Sequence, residues 1–207
     1  MFHNSAKKQR FIIEKSGPAD FPEQPWKNGG GTTHELRRAP HPQDPQRFAW
    51  RISSATVTAS GAFSLFPGID RTLLLLTGNG LALRCGNAPE QELRTPGQSI
   101  HFSGDLATYG RLLEGPVQDF NLMVDRTFHR GEAVLIKSGS AALACAPISL
   151  VYVLHGDLTL PVPDSDQQLQ LTKGELGYMT NVSRFSLQSA STDFIAVKTD
   201  IFTKDNH

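Results

Sequence analysis

The chain has 207 residues, 39% hydrophobic and 19% charged, with twenty basic residues balanced by twenty acidic ones. That length is enough to bury a core in one large domain or two small ones, and the neutral balance leaves no basic patch dense enough to make nucleic acid a partner. Two cysteines exclude a disulfide framework, and no stretch reaches the roughly eighteen apolar residues of a membrane span, so membrane partners are excluded too.

The first residues lack an apolar core of the kind that directs secretion, and a cytoplasmic protein is expected. Cys85 and Cys145 sit in apolar or turn-flanked runs and read as buried thiols. Lys7–Arg10, the densest basic run near a terminus, reads as a solvated tail.

In chain order, the first informative stretch is "PWKNGGGTTHEL", residues 25–36. A phosphate-cradling loop places its lysine and hydroxyl behind the glycines and opens a helix. Here Lys27 precedes Gly29, Gly30 and Gly31, and "RRAPHP" follows, so the order excludes that reading. The block predicts a glycine turn leading into a strand that begins at the β-branched Thr32 and Thr33.

"FAWRISSATV" (48–57) alternates with period two. Phe48, Trp50 and Ile52 share one face, while Arg51, Ser53 and Ala55 share the other. "RTLLLLTGNGLAL" (71–83) predicts a hairpin about a Gly-Asn-Gly turn. "DFNLMV" (119–124) sets Phe120, Leu122 and Val124 opposite Asn121 and Met123. No window carries a sustained helical stripe. Eighteen glycines and thirteen prolines, spread as punctuation, fit strands at roughly 8–12-residue spacing in an all-β protein.

The sequence also echoes itself. "LLLLTGNGLAL" (73–83) matches "LVYVLHGDLTL" (150–160), and "LRTPGQSIHFSGD" (93–105) matches "LQLTKGELGYMTN" (169–181). Gly78 and Gly156 lie 78 residues apart, and Gly97 and Gly174 lie 77 apart. Two pairs at nearly one offset predict a duplicated β unit, too long for a solenoid repeat.

Small duplicated β units of this kind resemble the cupins, whose first metal motif runs G-x5-H-x-H-x3–4-E-x6-G. Laid on this chain from Gly61 to Gly80, both glycines fall in register. The ligand positions hold Pro67, Ile69 and Leu73, which have no lone pair for a divalent cation, so no metal and no other cofactor is expected. The corresponding second-half segment offers one histidine, His155, at a turn read as a hairpin. His34, His101, His129 and His155 share no metal-ligand spacing.

Four blocks in order then point further: "PWKNGGGTTHEL", "WRISSATVTASGAFSLFPGIDRTLLLLTGNG", "FSGD" and "LLEGPVQDFNLMVDR". Together they resemble the HutD/Ves family of bicupins, over about residues 11 to 131 and more loosely beyond. One departure is Asp125-Arg126, where an arginine pair often follows the "NLM" block. The resemblance implies an all-β bicupin, two cupin-like β-barrel or jelly-roll halves in one chain. Residues 1–131 would form the N-terminal half carrying the PWKNGGG loop, and residues 132–207 the C-terminal half, packed as one unit. It implies a metal-free regulatory ligand binder, often encoded with histidine-utilisation genes, whose suggested ligands are formylated or formiminated glutamates. A related branch is known mainly as cold- and stress-responsive proteins.

A small-molecule carboxylate ligand needs fixed cations and neutral donors around a mostly apolar cavity. Arg51 is the leading candidate, on the small polar face of its strand beside Ser53. A structural salt bridge to Glu35, Asp105 or Asp119 is the other reading. Arg71 follows the "FPGID" turn and could reach the same opening or serve as surface charge. Asn121 faces away from the apolar side. Lys27 and Asn28 are expected near the mouth, above a packed Trp26, and Phe63, Phe66 and Met123 are expected as walls.

Three functions stay open on these residues. One is a non-enzymatic sensor of a small carboxylate. Another is a metal-free cupin enzyme of isomerase or epimerase type, using His101 with Asp105 or Asp119, or Glu35 with a tyrosine. The third is an interaction protein that forms a homodimer through extended edge strands.

Overall fold

The computed structural model describes residues 11–137, 143–162, 165–182, 184–185 and 193–204. His3, His207 and Lys7–Arg10 lie outside them. Among the described residues the only helical element is a single 3-10 turn at Pro18–Asp20, and no helix is long and apolar enough to cross a membrane.

The strands run in order as β1 (Ile12–Ser16), β2 (Glu23–Pro25), β3 (Gly31–Pro40), β4 (Phe48–Val57), β5 (Gly61–Ala62) and β6 (Ile69–Thr77). There follow β7 (Leu81–Cys85), β8 (Gln91–Leu93), β9 (Ser99–Ser103), β10 (Thr108–Leu112), β11 (Val117–Asp125) and β12 (His129–Lys137). The rest are β13 (Leu143–Ala144), β14 (Ile148–His155), β15 (Asp157–Pro161), β16 (Gln168–Thr172), β17 (Leu176–Thr180), β18 (Arg184–Phe185) and β19 (Ile195–Thr203).

They form stacked open sheets. A six-stranded sheet, β2-β3-β4-β11-β6-β9, faces a four-stranded sheet, β5-β10-β7-β8, across a core of Leu73, Leu75, Leu81, Leu83, Leu93 and Phe102. Its other face meets the five-stranded sheet β1-β17-β14-β19-β12 through Trp50, Ile52, Phe120, Leu122, Leu150 and Val197. That sheet in turn covers the pair β15-β16 through Val151, Val153, Leu158 and Leu171. The period-two alternation of β4, β6 and β11 thus serves two cores at once: Leu74 and Leu76 pack toward the five-stranded sheet, Leu73 and Leu75 toward the four-stranded one. The expected all-β class holds; closed barrels do not, since these strands lie in separate open sheets with free edges.

The predicted Gly-Asn-Gly hairpin is not one. β6 pairs with β9 and β11, whereas β7 pairs with β8 and β10, so the turn carries the chain across the sandwich from one sheet to the other. Gly78 sits at that corner with φ +96°, and a Cβ there would lie 2.6 Å from the Pro116 carbonyl oxygen. Gly156, between β14 and β15, makes the same corner at φ +72°, with 2.5 Å to the Asp193 carbonyl oxygen. His155 therefore ends a strand at a corner, not in a hairpin. Only glycine fits either place.

The echo in the sequence is repeated in backbone bonds. Gly97 N donates to Leu75 O at 2.9 Å and Leu75 N to Gln98 O at 3.0 Å; Gly174 N donates to Val153 O at 2.8 Å and Val153 N to Glu175 O at 3.0 Å. β1 is the exception to the chain order, because it pairs with β17 and extends the later sheet. Cys85 and Cys145 are half-buried rather than buried.

Candidate functional site

Residues 25–31 form a tight connection between β2 and β3. Trp26 N donates to Gly31 O, and Gly30 N to Asn28 Oδ1 at 3.0 Å. A Cβ on Gly31 would stand 2.4 Å from the Thr56 carbonyl oxygen, so that glycine lets the turn lie against β4. Trp26 is pinned by its indole N–H to Thr33 Oγ1 at 2.8 Å and meets the Phe63 ring edge-on. The block is a strand-entry turn, and it forms the rim of a cavity of about 490 Å³ between the six- and four-stranded sheets.

Strand register sets the cavity floor. On the face of the six-stranded sheet turned to the four-stranded one, Arg51 of β4, Met123 of β11 and Arg71 of β6 lie in one row. Ser53 and Asn121 occupy the next row, and Ala55 and Asp119 the one beyond. All six residues expected at a site, Lys27, Asn28, Arg51, Ser53, Arg71 and Asn121, line this cavity, with Phe63, Phe66 and Met123 among its walls. The opposite residues of β4 and β11 are locked in the adjacent core, which holds the cavity side chains in register.

Arg51 donates from Nε to Glu35 Oε2 at 2.7 Å, so of the three acids considered, Glu35 is its partner. Arg71 is no surface charge. It is 4% exposed, its guanidinium carbon lies 4.9 Å from the centroid of Phe102 and 5.3 Å from that of Phe63, and its Nη1 reaches Ser64 O at 3.4 Å. Burial pulls its pKa down to about 10, against the opposing pull of Asp119. Asp119 is 1% exposed, and burial pushes its carboxyl up to about 7, with Arg71 holding it back.

Three groups here are buried without a hydrogen-bond partner among the described residues: Arg71 Nε, both oxygens of Asp119, and Asn121 Oδ1. Buried polar atoms are nearly always satisfied, so such a cluster on one cavity wall singles the cavity out as the candidate site. The sequence pairs Asp119 with other groups but does not place it in the cavity. The signal was present, because the alternation that puts Asn121 and Met123 on one face also includes Asp119 two residues earlier.

His101 is exposed on β9 and bonds Thr72 Oγ1 at 3.0 Å, and Asp105 holds Gly68 N and Arg126; neither lines the cavity. The acid–base pairs proposed on His101 are therefore not assembled there. Arg126, at the departure noted above, ties Asp70, Asp105 and Ser103 together at the sheet edge. Of the cupin ligand positions, Ile69 and Leu73 are buried on the face of β6 that Arg71 shares and lies between. No cluster of three metal-ligating side chains occurs among the described residues.

Stacked open β-sheets with a polar cavity on the central strands define an all-β, cupin-like protein. Bacillus subtilis oxalate decarboxylase has this fold at 9% identity, with a TM-score of 0.67 over 93% of this chain and 77% of that one. The HutD family model matches residues 18–197, and the chain belongs to the HutD family. A protein in the hutC 3' region of Pseudomonas putida is 36% identical over 141 residues, 65% of this chain and 73% of that protein. Protein Ves of Citrobacter koseri is 35% identical over 137 residues, 58% of this chain and 70% of Ves. A conserved protein from Pseudomonas aeruginosa PAO1 superposes with a TM-score of 0.81 at 26% identity, over 94% of this chain and all of that one. HutD from Pseudomonas fluorescens SBW25 does so at 0.77 and 24%, with the same coverage.

Proposed function

We propose that this protein binds a small carboxylate in the cavity between its first two sheets and acts as a non-enzymatic regulator linked to histidine utilisation. The observation that carries this reading is Arg71, a buried guanidinium with an unused Nε–H donor facing a cavity that Arg51 also lines. A guanidinium fork matches a carboxylate with two parallel bonds, and aromatic walls exclude competing water. Family membership and a relative encoded beside hutC support glutamate derivatives of the formyl or formimino class as ligands.

The same reading divides the chain as a bicupin, residues 1–131 carrying the site and 132–207 the second half. The halves differ in their buried charges. In the later sheet Lys198 is 6% exposed and contacts Asp200, whose Oδ1 accepts from the Ser149 hydroxyl at 2.6 Å, so that cation is already neutralised within the chain. The first half differs in Arg71, a buried cation to which no carboxylate is hydrogen-bonded among the described residues, and ligand binding is therefore assigned to that half.

A thermal-shift screen against histidine, urocanate, formimino-glutamate, formyl-glutamate and glutamate tests the reading. Ligand at about 100 times its dissociation constant adds roughly 2.7 kcal/mol, a shift of about 5 °C or more at this size. The expected result is a shift with a glutamate derivative that Arg51→Ala abolishes. No shift with any of the five would detach the protein from these ligands.

A further inference from the structure

A second hollow lies outside the cavity, on the outer face of the four-stranded sheet. It is an open groove of about 810 Å³ between the segment after β5 and the turn after β7, and Phe63, Leu65, Arg84, Asn87, Thr108 and Tyr109 are among its walls. Strand register builds its floor: Tyr109 of β10 stands opposite Ala62 of β5 on one side and Arg84 of β7 on the other. Five large apolar side chains are exposed among the described residues, and three of them gather here: Leu65, Tyr109 and, against the turn at Gly86, Leu106. Apolar side chains exposed singly need no explanation, whereas several around one groove mark a contact surface.

The charges on this face set the chemistry of the occupant. Two residues further along β10, Arg111 bonds Glu90 and lies 3.7 Å from Glu92, and Arg94 bonds Glu92 at 2.7 Å. Arg84 has no hydrogen bond and no ion pair among the described residues, the nearby Glu90 being taken by Arg111, and it is the only charged residue among them to line the groove. The complement is an acidic group for the guanidinium and apolar groups for Leu65, Leu106 and Tyr109. One cation is too few for a nucleic-acid backbone or an anionic lipid surface. An open groove also does not enclose most of a small molecule, as a ligand pocket does. An extended peptide meets all of these conditions.

We propose that this groove docks an extended segment of a protein partner, one carboxylate side chain flanked by apolar ones, and that it passes the state of the cavity to that partner. The link between the two hollows is short. Phe63 lines both, and its ring centroid lies 5.3 Å from the Arg71 guanidinium carbon and 6.2 Å from the Trp26 ring. Ser64 O accepts from Arg71 Nη1 at 3.4 Å, and Leu65 is the next residue. A ligand that draws on the Arg71 donors therefore changes what holds residues 63–65, and Leu65 carries that change into the groove. Phe63 is seated on Gly110, where a Cβ would lie 2.6 Å from its Cε2, so the ring is the common wall of cavity and groove. The coupling rests on the carboxylate-binding reading; the docking surface does not.

The experiment is a selection of a random displayed peptide library on the full chain, followed by anisotropy titrations of the recovered peptides. The expected result is peptides that carry Asp or Glu beside Leu, Ile or Phe. Their affinity should fall about tenfold in Arg84→Glu and in Tyr109→Ser, while both variants keep any thermal shift that the wild type shows with the screened compounds. Changing the peptide's acid to its amide should cost the wild type a similar factor and cost Arg84→Gln almost nothing. A compound that shifts melting should also change peptide affinity about fivefold or more. No enriched peptides, peptides without an acid, or undiminished binding to Arg84→Glu would overturn the docking surface. A dimer in sedimentation that Arg84→Glu dissolves would overturn it too, by placing a second copy of the chain in the groove. Peptide binding indifferent to a compound that itself shifts melting would overturn the coupling. If no compound shifts melting, the coupling falls with the carboxylate reading, and the peptide results alone judge the groove.

Discussion

Arg71 and Asp119 look into one cavity from neighbouring strands, each displaces the other's protonation, and no hydrogen bond joins them. A buried cation and a buried acid that line one cavity would ordinarily close into a hydrogen-bonded pair. Here both retain unused hydrogen-bonding atoms.

The first consequence is a pH-dependent stability in the empty protein. A carboxyl raised from 3.8 to about 7 stays protonated when folded at pH values where the unfolded chain has lost that proton. Asp119 therefore makes stability fall as pH rises from about 4 to about 7, and the full loss remains above that window. Asp119→Asn removes this slope. Urea denaturation at pH 4 and pH 8 should show the variant gaining at pH 8, by up to about 4 kcal/mol at roughly 1.4 kcal/mol per tenfold, with little change at pH 4.

Replacing the cation alone has the opposite effect. Arg71→Met leaves Asp119 buried beside an apolar side chain, and breaking such a pair typically costs about 3 kcal/mol. The double variant Arg71→Met/Asp119→Asn should recover most of that stability but bind no carboxylate. Recovery of binding along with stability would show that Arg71 serves only to hold Asp119.

Gly31→Ala tests the turn. Its Cβ would press on the Thr56 carbonyl, a backbone atom with no room to yield, so a loss of about 1–3 kcal/mol is expected. Because Trp26 and Lys27 ride on this turn, ligand affinity should fall more than it does for a surface change of equal thermal effect.

His101→Ala should leave ligand binding unaltered, since His101 bonds Thr72 at the sheet edge and does not line the cavity. Slow turnover of a bound ligand that this variant abolishes would revive the acid–base reading.

Much of this was legible in the sequence, and the misses have a common cause. The alternations in 48–57 and 119–124 identified which residues of β4 and β11 share a face, so Arg51, Ser53 and Asn121 could be grouped before any strand was placed. The repeat offset of 77 or 78 residues pointed to a duplicated β unit, and the backbone bonds of Leu75 and Val153 repeat at that spacing. Period two says nothing about which sheet a strand joins, and for that reason the Gly-Asn-Gly segment read as a hairpin when Gly78 turns the chain into a different layer. Arg71, beside a turn, carries no local mark of burial. It is buried because Phe102 pairs opposite it and Phe63 and Phe66 fold over it, contacts made across at most 31 positions of sequence but not periodic within it. Asp119 looked like an ordinary counter-ion until the register left it with nothing to bond.

The most direct test uses Trp26, whose indole lines the cavity and is fixed by Thr33. The intrinsic fluorescence of the wild-type protein is titrated with formimino-glutamate, with Trp26→Phe and Arg51→Ala as controls. A saturable change that both variants lose is the predicted result. A titration with no saturable change, or one that survives in Arg51→Ala with undiminished affinity, would contradict a carboxylate site in this cavity.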